Sequence, residues 1–214
     1  MFDKSAYLEI TDFIKSKGLL TQVVSVSKNH PIEAVEHAIS EGITVFGENR
    51  VQEAIGKFSQ IKQKFKNIQL HLTGPLQTNK VKLALSIFDV IQTLDREKLA
   101  NEFFKYPDLI KKKIFYIQVN IGNEKNKSGI LSEEVDQFIK YCTNDLKIHV
   151  VGLMCIPPIS KDPTMFFNEL KKIASKNNLL GLSMGMSSDY KQAIETGATI
   201  VRVGTKLFGE RKWN

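Results

Sequence analysis

The stretch VVSVSKNHPIEAVEHAISEGITVFGEN, residues 23–49, decides the fold class. It begins with a short apolar run that ends at Lys28, and it closes with a second β-rich run at 44–49. Between them, Pro31 opens a segment with helical periodicity, IEAVEHAISE, which Gly42 follows. Near-continuous apolar strands are typical of a parallel sheet that is covered on both faces. The stretch therefore predicts a strand, a helix and a parallel strand.

The same alternation continues to the end of the chain. Six more runs have strand character: 69–74, 90–95, 113–120, 149–157, 180–185 and 200–205. Among the helical segments, one opens at Pro163, and another has Ser188 as its expected cap and Gly197 after its end. Eight strands, each but the last followed by a helix, predict a (β/α)8 barrel of the TIM type. An open doubly wound sheet is the alternative, but eight strands without a GxGxxG after the first argue against it.

The composition fits one domain. The chain has 214 residues, of which 42% are hydrophobic, and this is enough for one sizeable core. We expect a single domain over 1–214, with an N-terminal helix at 1–20, the barrel at 23–205 and a C-terminal segment at 206–214.

Nothing in the sequence predicts export or membrane insertion. No run approaches the roughly 18 apolar residues of a membrane span. The N-terminal MFDKSAYLEITDFIKSKG reads as an amphipathic helix with acidic residues, unlike a signal or transit peptide. Cys142 and Cys155 lack CxxC spacing and a His/Cys cluster, so we expect reduced thiols, with neither zinc nor a disulfide. We therefore expect a cytoplasmic protein with no membrane partner.

The net charge of +7 raises nucleic acid as a partner. The lysines are spread along the chain, however, and no helix-turn-helix, zinc finger or aromatic RNA-binding signature is present. We therefore expect a solvated basic surface and no nucleic-acid partner. A positive field also attracts phosphorylated small molecules.

The residues that follow the strands are the candidates for chemistry, because barrel sites lie at the C-terminal ends of strands. This rule selects Lys28, Glu48, Asn49, Gly74, Asp95, Asn120, Ser187, Gly204 and Thr205. Lys28 ends an apolar strand, where desolvation disfavours the ammonium form and leaves a nucleophilic amine. The alternative is a lysine that extends from the strand end into solvent.

The loops after the last two strands, GMSSD at 185–189 and VGTKLFGER at 203–211, predict a phosphate site. Ser187 offers a hydroxyl, and Gly204 and Thr205 offer backbone amides at a turn where glycine permits close approach. Two ordinary turns are the alternative. A nucleophilic lysine and a phosphate cradle in one barrel mouth together suit a phosphorylated aldehyde.

Arg202 shares a strand face with Gly204 and should lie inside the barrel or at its mouth. A buried arginine is rarely left unpaired, so it either bridges a carboxylate such as Glu48 or faces a ligand acceptor. The sequence alone favours the salt bridge. His71 reads as a satisfied core histidine, and Lys127 reads as a solvated loop lysine that could serve as a second amine.

Seven motifs together resemble one family. They are VVSVSK with a proline three residues after its lysine, FGEN followed by VQE, HLTGPLQTNK, NEKNKSGI, GLMCIP, LSMGMSSD and VRVGTKLFGER. In this order, from about 21 to 211, they resemble the pyridoxal-phosphate homeostasis proteins, the single-domain relatives of the alanine racemase barrel (fold type III). The sequence departs from the commonest family pattern at Asn29, His30, Arg50 and Leu70. We expect these departures to change the finer shape of the barrel mouth and not the cofactor.

The resemblance implies pyridoxal 5′-phosphate as the cofactor and six residues that bind it: Lys28, Asn49, Ser187, Arg202, Gly204 and Thr205. Lys28 matches the lysine that forms the internal aldimine, and Arg202 matches the arginine that faces the pyridine nitrogen. Asn49 matches an asparagine beside the cofactor. The remaining three match the phosphate-binding positions.

The function that the resemblance implies is a non-catalytic carrier and regulator of pyridoxal phosphate, a monomer that supplies the cofactor to apo-enzymes. The alternative is an amino-acid racemase or another aldimine-dependent enzyme, and a cofactor-free Schiff-base aldolase is a third reading. An arginine at the ring nitrogen makes the ring a poor electron sink. A chain that ends at residue 214 also leaves no room for the second domain of a racemase.

Overall fold

The computed structural model describes residues 1–159 and 161–210. The strands of this part of the chain are β1 (Gln22–Val26), β2 (Val45–Glu48), β3 (Gln69–Leu72), β4 (Val90–Leu94), β5 (Ile114–Asn120), β6 (Ile130–Leu131), β7 (Val150–Cys155), β8 (Gly181–Ser183) and β9 (Ile200–Val203). The α-helices are α1 (Lys4–Ser16), α2 (Ile32–Ser40), α3 (Val51–Lys64), α4 (Val81–Ile87), α5 (Glu97–Phe104), α6 (Pro107–Ile110), α7 (Val135–Lys140), α8 (Pro163–Lys176), α9 (Tyr190–Thr196) and α10 (Thr205–Phe208).

Eight parallel strands close into a barrel. Their order is β4-β3-β2-β1-β9-β8-β7-β5, and pairing of β4 with β5 completes the ring. The predicted (β/α)8 barrel is therefore confirmed, and the open doubly wound sheet is wrong. The additional strand β6 was not predicted, because its two residues are too few to show a strand pattern. It pairs with the C-terminal end of β5.

The helix ends mostly follow the expected signals. Pro31 is the N-cap residue of α2, and Gly42 after this helix has φ +87°. Gly197 ends α9 in the left-handed conformation that glycine favours. The predicted cap of α9 is wrong: Asp189, not Ser188, holds the N-cap position. The Asp189 carboxylate accepts a hydrogen bond from the Met186 amide at 2.6 Å, which closes the preceding loop.

The core has two parts. The larger cluster lies between the outer faces of the strands and the helices. The smaller cluster consists of strand residues alone, which places it inside the barrel: Val24, Val26, Val90, Tyr116, Met154 and Ile200. The interior also holds buried polar side chains, among them Gln92, Ser183 and Arg202. The C-terminal ends of the strands therefore surround a mouth that has a polar floor.

The terminal segments were also predicted. Helix α1 lies within the predicted N-terminal helix at 1–20, and the Asp3 side chain caps it by accepting from the Ala6 amide. The predicted C-terminal segment, 206–214, lies outside the described residues from 211 onwards, as does the last residue of VRVGTKLFGER. The division of the chain into one domain stays a prediction.

Two features concern the predictions about membrane spans and cysteines. Within the described ranges, no helix combines the length and apolar character that a membrane crossing requires. Cys142 and Cys155 are buried as free thiols, and burial raises the pKa of each to about 12. Both therefore act as core residues at neutral pH, since the thiolate is the reactive form.

Candidate functional site

A cavity of about 380 Å³ opens at the barrel mouth, a volume within the range of about 300–1,000 Å³ for ligand pockets. All six residues expected at the site line it: Lys28, Asn49, Ser187, Arg202, Gly204 and Thr205. Six further residues complete the lining: Val26, His30, Thr73, Ile156, Met186 and Ser188. We call this space the mouth cavity. The structure thus brings the predicted residues together, although their role in binding stays a proposal.

Lys28 lies in the loop after β1, and a second lysine holds this loop. Lys57 of α3 donates hydrogen bonds to the carbonyl oxygens of Ser27 (2.8 Å) and His30 (3.1 Å), on either side of Lys28. Between them, Asn29 has φ +61°, a conformation that asparagine tolerates better than most residues. The contacts of Lys57 therefore fix the position from which Lys28 enters the mouth cavity.

Lys57 is also the partner of Glu48. Its Nζ lies 2.6 Å from Glu48 Oε1, which accepts a second hydrogen bond from Ser27 Oγ at 2.7 Å. Burial raises the pKa of the Glu48 carboxyl, and the positive charge of Lys57 opposes this shift. A Cβ at Gly47 would point to the side chains of Val24 and Val26 inside the barrel. By alternation along β2, Glu48 faces outward to α3.

The predicted salt bridge between Arg202 and Glu48 is therefore wrong, because the two side chains lie on opposite faces of the barrel wall. Arg202 points inward, where its guanidinium donates to Ser183 Oγ and to the Cys155 carbonyl oxygen, both at 2.8 Å. Within residues 1–159 and 161–210, no carboxylate lies within 4.0 Å of this guanidinium.

The charge of Arg202 is thus buried without an ion-pair partner in the described part of the chain. Burial lowers the pKa of the guanidinium and the nearby charge of Asp189 opposes this shift, but arginine stays protonated in proteins. Burial of a charge without a direct ion-pair partner costs free energy. Because Arg202 lines the mouth cavity, a ligand with a hydrogen-bond acceptor or a negative charge relieves this cost. The sequence allowed either a carboxylate partner or a ligand acceptor for Arg202, and its position fits the ligand acceptor.

Asn49 is held by the end of β3. Its Oδ1 accepts a hydrogen bond from Thr73 Oγ1 at 2.9 Å. Gly74 approaches so closely that a Cβ there would lie 2.5 Å from the Asn49 carbonyl oxygen. Glycine is therefore required at position 74, and the close contact fixes Asn49 at the cavity wall.

The two predicted phosphate loops meet at the wall of the cavity. Ser187 Oγ accepts from the Lys206 amide at 3.3 Å, which joins the loop after β8 to the start of α10. Gly204 precedes α10, and Thr205 is its first residue. The first amides of a helix have no partner within it, so they can donate to an anion.

The donor set of the mouth cavity decides which ligand fits. It contains an amine, a guanidinium, hydroxyl groups and helix-start amides, and none of the lining residues in the described ranges is an aspartate or glutamate. Such a set suits a ligand that has a phosphate, an electrophile for Lys28 and an acceptor for Arg202. Pyridoxal phosphate has all three, so the residues present fit this cofactor.

Comparisons with known proteins agree with this geometry. Residues 11–212 match the family model described as "Alanine racemase, N-terminal domain". Two proteins named "Pyridoxal phosphate homeostasis protein" are similar to this chain. The one from Haemophilus influenzae is 37% identical, over 90% of this chain and 86% of the relative. The one from Aquifex aeolicus is 38% identical, over 90% of this chain and 88% of the relative. The chain belongs to the pyridoxal phosphate homeostasis protein family.

Solved structures with the same fold cover nearly all of this chain. PipY of Synechococcus elongatus, solved without pyridoxal phosphate, has a TM-score of 0.83 and 32% identity, over 94% of this chain and all of PipY. PipY with pyridoxal phosphate bound has a TM-score of 0.80. Alanine racemase from Corynebacterium glutamicum shares the fold (TM-score 0.68, 17% identity), and this chain covers 60% of its length.

Other candidate residues of this family member lie outside the mouth cavity. Lys127 pairs with Glu124 at 2.6 Å and lines an adjacent cavity of about 260 Å³, which also contains Asn49 and Asn120. Asp95 is paired with Arg96. His71 is buried inside the barrel, as expected of a core histidine.

Lys57 is one residue near the site that could not be found from the sequence. Its i,i+4 spacing from Glu53 on α3 is a signal in the sequence, since such pairs share a helix face. The spacing shows neither that the lysine is buried nor that it reaches the loop of Lys28.

Proposed function

We propose that this protein holds pyridoxal 5′-phosphate in the mouth cavity and acts as a non-catalytic carrier in its homeostasis. The observation that carries this proposal is the lining of the cavity. It combines a buried arginine that has no ion-pair partner among the described residues, a lysine that follows a strand, and two loops of the kind that bind phosphate. The names of the relatives and the PipY structure with pyridoxal phosphate bound support the same cofactor.

Each lining residue has a part in this proposal. When bound, pyridoxal phosphate supplies an aldehyde that an amine can capture as a Schiff base and a phosphate that carries negative charge. Lys28 provides the amine at a mouth with apolar walls formed by Val26 and Ile156. Ser187, with the amides at Gly204 and Thr205, holds the phosphate.

Arg202 favours a carrier over a catalyst. Its guanidinium remains protonated and only donates hydrogen bonds, so it leaves a ring nitrogen beside it without a proton. A ring with an unprotonated nitrogen stabilises a carbanion at the amino-acid Cα less than a protonated ring does, and each 1.36 kcal/mol of lost stabilisation costs about tenfold in rate. As part of the same proposal, the protein is a cytoplasmic monomer, and apo-enzymes receive the cofactor from it.

A transfer experiment tests the carrier function. The protein, loaded with pyridoxal phosphate and freed of excess, is mixed with an apo-enzyme and, separately, with L- or D-alanine, serine or glutamate. We expect the apo-enzyme to gain activity and the amino acids to show negligible racemisation or transamination. Turnover of an amino acid at about 1 per second or faster, the rate of a typical enzyme, contradicts the carrier proposal.

The phosphate site gives a second prediction. Ser187→Ala removes one hydrogen bond to a dianion, and bonds to charged groups contribute roughly 1.5–3 kcal/mol. We expect affinity for pyridoxal phosphate to fall by about 10- to 100-fold, with little change for unphosphorylated pyridoxal. Titration of both ligands by fluorescence measures this difference. Equal losses for the two ligands would show that Ser187 acts on the ring or on the fold.

A further inference from the structure

A chain of hydrogen-bonded polar side chains crosses the interior of the barrel and ends at Arg202. Arg202 of β9 donates to Ser183 Oγ of β8 at 2.8 Å, and Ser183 Oγ donates to Gln92 Oε1 of β4 at 2.6 Å. Gln92 Nε2 lies 2.7 Å from His71 Nδ1 of β3, and His71 Nε2 lies 3.1 Å from Gln69 Oε1. Four strands on two sides of the barrel are thus joined.

The four residues from Arg202 to His71 have little contact with water. Ser183 and Gln92 are fully buried, His71 is 1% exposed and Arg202 is 5% exposed. Apolar branched side chains usually fill the interior of such a barrel, and buried polar groups cost free energy unless they are hydrogen-bonded. A connected polar chain in this place indicates a function beyond packing.

The direction of each bond follows from the groups that can only donate or only accept. The Arg202 guanidinium can only donate, so Ser183 Oγ accepts from it, and Gln92 Oε1 can only accept, so Ser183 Oγ donates to it. The amide nitrogen of Gln92 must then donate to His71 Nδ1, which therefore carries no proton. The ring proton lies on His71 Nε2 and is donated to Gln69 Oε1. Each of the four bonds then has one donor and one acceptor, so a single arrangement of the hydrogens accounts for all of them.

We propose that Ser183, Gln92 and His71 are positioning residues that hold the Arg202 guanidinium in one orientation towards the mouth cavity. This inference rests on the proposed function, because it assigns Arg202 to the acceptor atom of the cofactor ring. Without the hydrogen bond to Ser183, the Cys155 carbonyl oxygen is the remaining described partner of the guanidinium. The guanidinium can then rotate about the side-chain bonds of Arg202, which moves its charge relative to the cofactor ring.

The neutral state of His71 belongs to this arrangement. Desolvation lowers the pKa of His71 to about 3, and the carboxylate of Asp89 opposes this shift. An imidazolium would present a second N–H to the Gln92 amide and break the direction of the chain. His71 therefore acts as a fixed acceptor for Gln92.

Nitrogen-15 NMR of the protein without added cofactor tests the chain independently of binding. We expect His71 to be neutral at pH 7, with the proton on Nε2 and an unprotonated Nδ1. A proton on Nδ1, or an imidazolium, overturns the proposed arrangement whether or not the protein binds pyridoxal phosphate.

Two matched serine variants test the effect on the site. Ser183→Ala interrupts the hydrogen-bonded chain, whereas Ser25→Ala removes a buried hydroxyl that has no hydrogen-bond partner among the described residues. We expect Ser183→Ala to lower pyridoxal phosphate affinity about tenfold, as for one lost bond to a charged group, and to shift the absorbance maximum of the bound cofactor. We expect Ser25→Ala to change neither, and Ser183→Thr, which keeps a hydroxyl, to restore the parental maximum.

The outcomes separate the two proposals. Failure of the parent protein to bind pyridoxal phosphate contradicts the proposed function. Binding by the parent with identical spectra and affinities for Ser183→Ala and Ser25→Ala overturns the positioning role. Gln92→Met, which keeps the side-chain length but removes both bonds, must reproduce the spectral shift of Ser183→Ala for the role to stand.

Discussion

Lys28→Ala is expected to abolish the covalent capture of pyridoxal phosphate while the barrel stays folded. The side chain ends in the mouth cavity and not in the packed interior, so its truncation leaves the core intact. The alanine side chain offers no amine to the aldehyde, and borohydride treatment should therefore give no labelled protein. Mass spectrometry after reduction measures the adduct directly.

Thermal unfolding gives an independent measure of the same variant. A ligand at 100 times its Kd stabilises the folded state by about 2.7 kcal/mol, and this gain should disappear from Lys28→Ala at the concentration that saturates the parent. Lys127→Ala is the control, because Lys127 lies on the adjacent cavity and is paired with Glu124. A full-occupancy adduct on Lys28→Ala would move the main site elsewhere, with Lys127 as the first place to look.

The features that could be predicted from the sequence are those that depend on local patterns. Apolar runs gave all eight barrel strands, and Pro31, Gly42 and Gly197 marked helix ends that the structure has in the same places. The rule that barrel sites follow the strands then selected Lys28, Ser187 and their neighbours on one cavity. These predictions needed no knowledge of which side chains meet across the barrel.

The features that could not be predicted depend on the direction in which strand side chains point. Glu48 and Arg202 follow or lie within strands of similar character, yet one faces α3 and the other faces the interior. Gly47 faces inward beside Val24 and Val26, so the next residue, Glu48, faces outward by alternation along the strand. A single sequence does not fix this alternation, and the interior chain from His71 to Arg202 stayed hidden for the same reason.

The error at Ser188 has a different cause. Ser188 and Asp189 are both good N-cap residues, and they are adjacent. The Asp189 carboxylate closes the preceding loop by accepting from the Met186 amide, the helix starts directly after Asp189, and Ser188 lies on the wall of the mouth cavity. The choice therefore depends on the conformation of the whole loop.

Lys57→Met is expected to destabilise the protein by about 3–5 kcal/mol at pH 7, the usual cost of breaking a buried ion pair. Methionine fills most of the space but removes the charge, and Glu48 is left fully buried with Ser27 Oγ as its remaining described hydrogen-bond donor. The carbonyl oxygens of Ser27 and His30 also lose a donor. Urea unfolding measures the loss, and reduced capture of pyridoxal phosphate should accompany it because the loop of Lys28 loosens.

The pH dependence identifies the buried carboxyl as the cause. Burial already raises the pKa of Glu48, and removal of Lys57 raises it further, so the folded variant binds this proton more tightly than the unfolded chain does. Its stability therefore increases as the pH falls through the raised pKa towards the unfolded value of about 4.3. The difference in unfolding free energy between the variant and the parent should therefore narrow between pH 7 and pH 5.

Lys64→Met, an exposed change on the same helix, is the control, and its unfolding free energy should stay within about 0.5 kcal/mol of the parent at both pH values. A Lys57→Met deficit that is equally large at both pH values would assign the loss to packing.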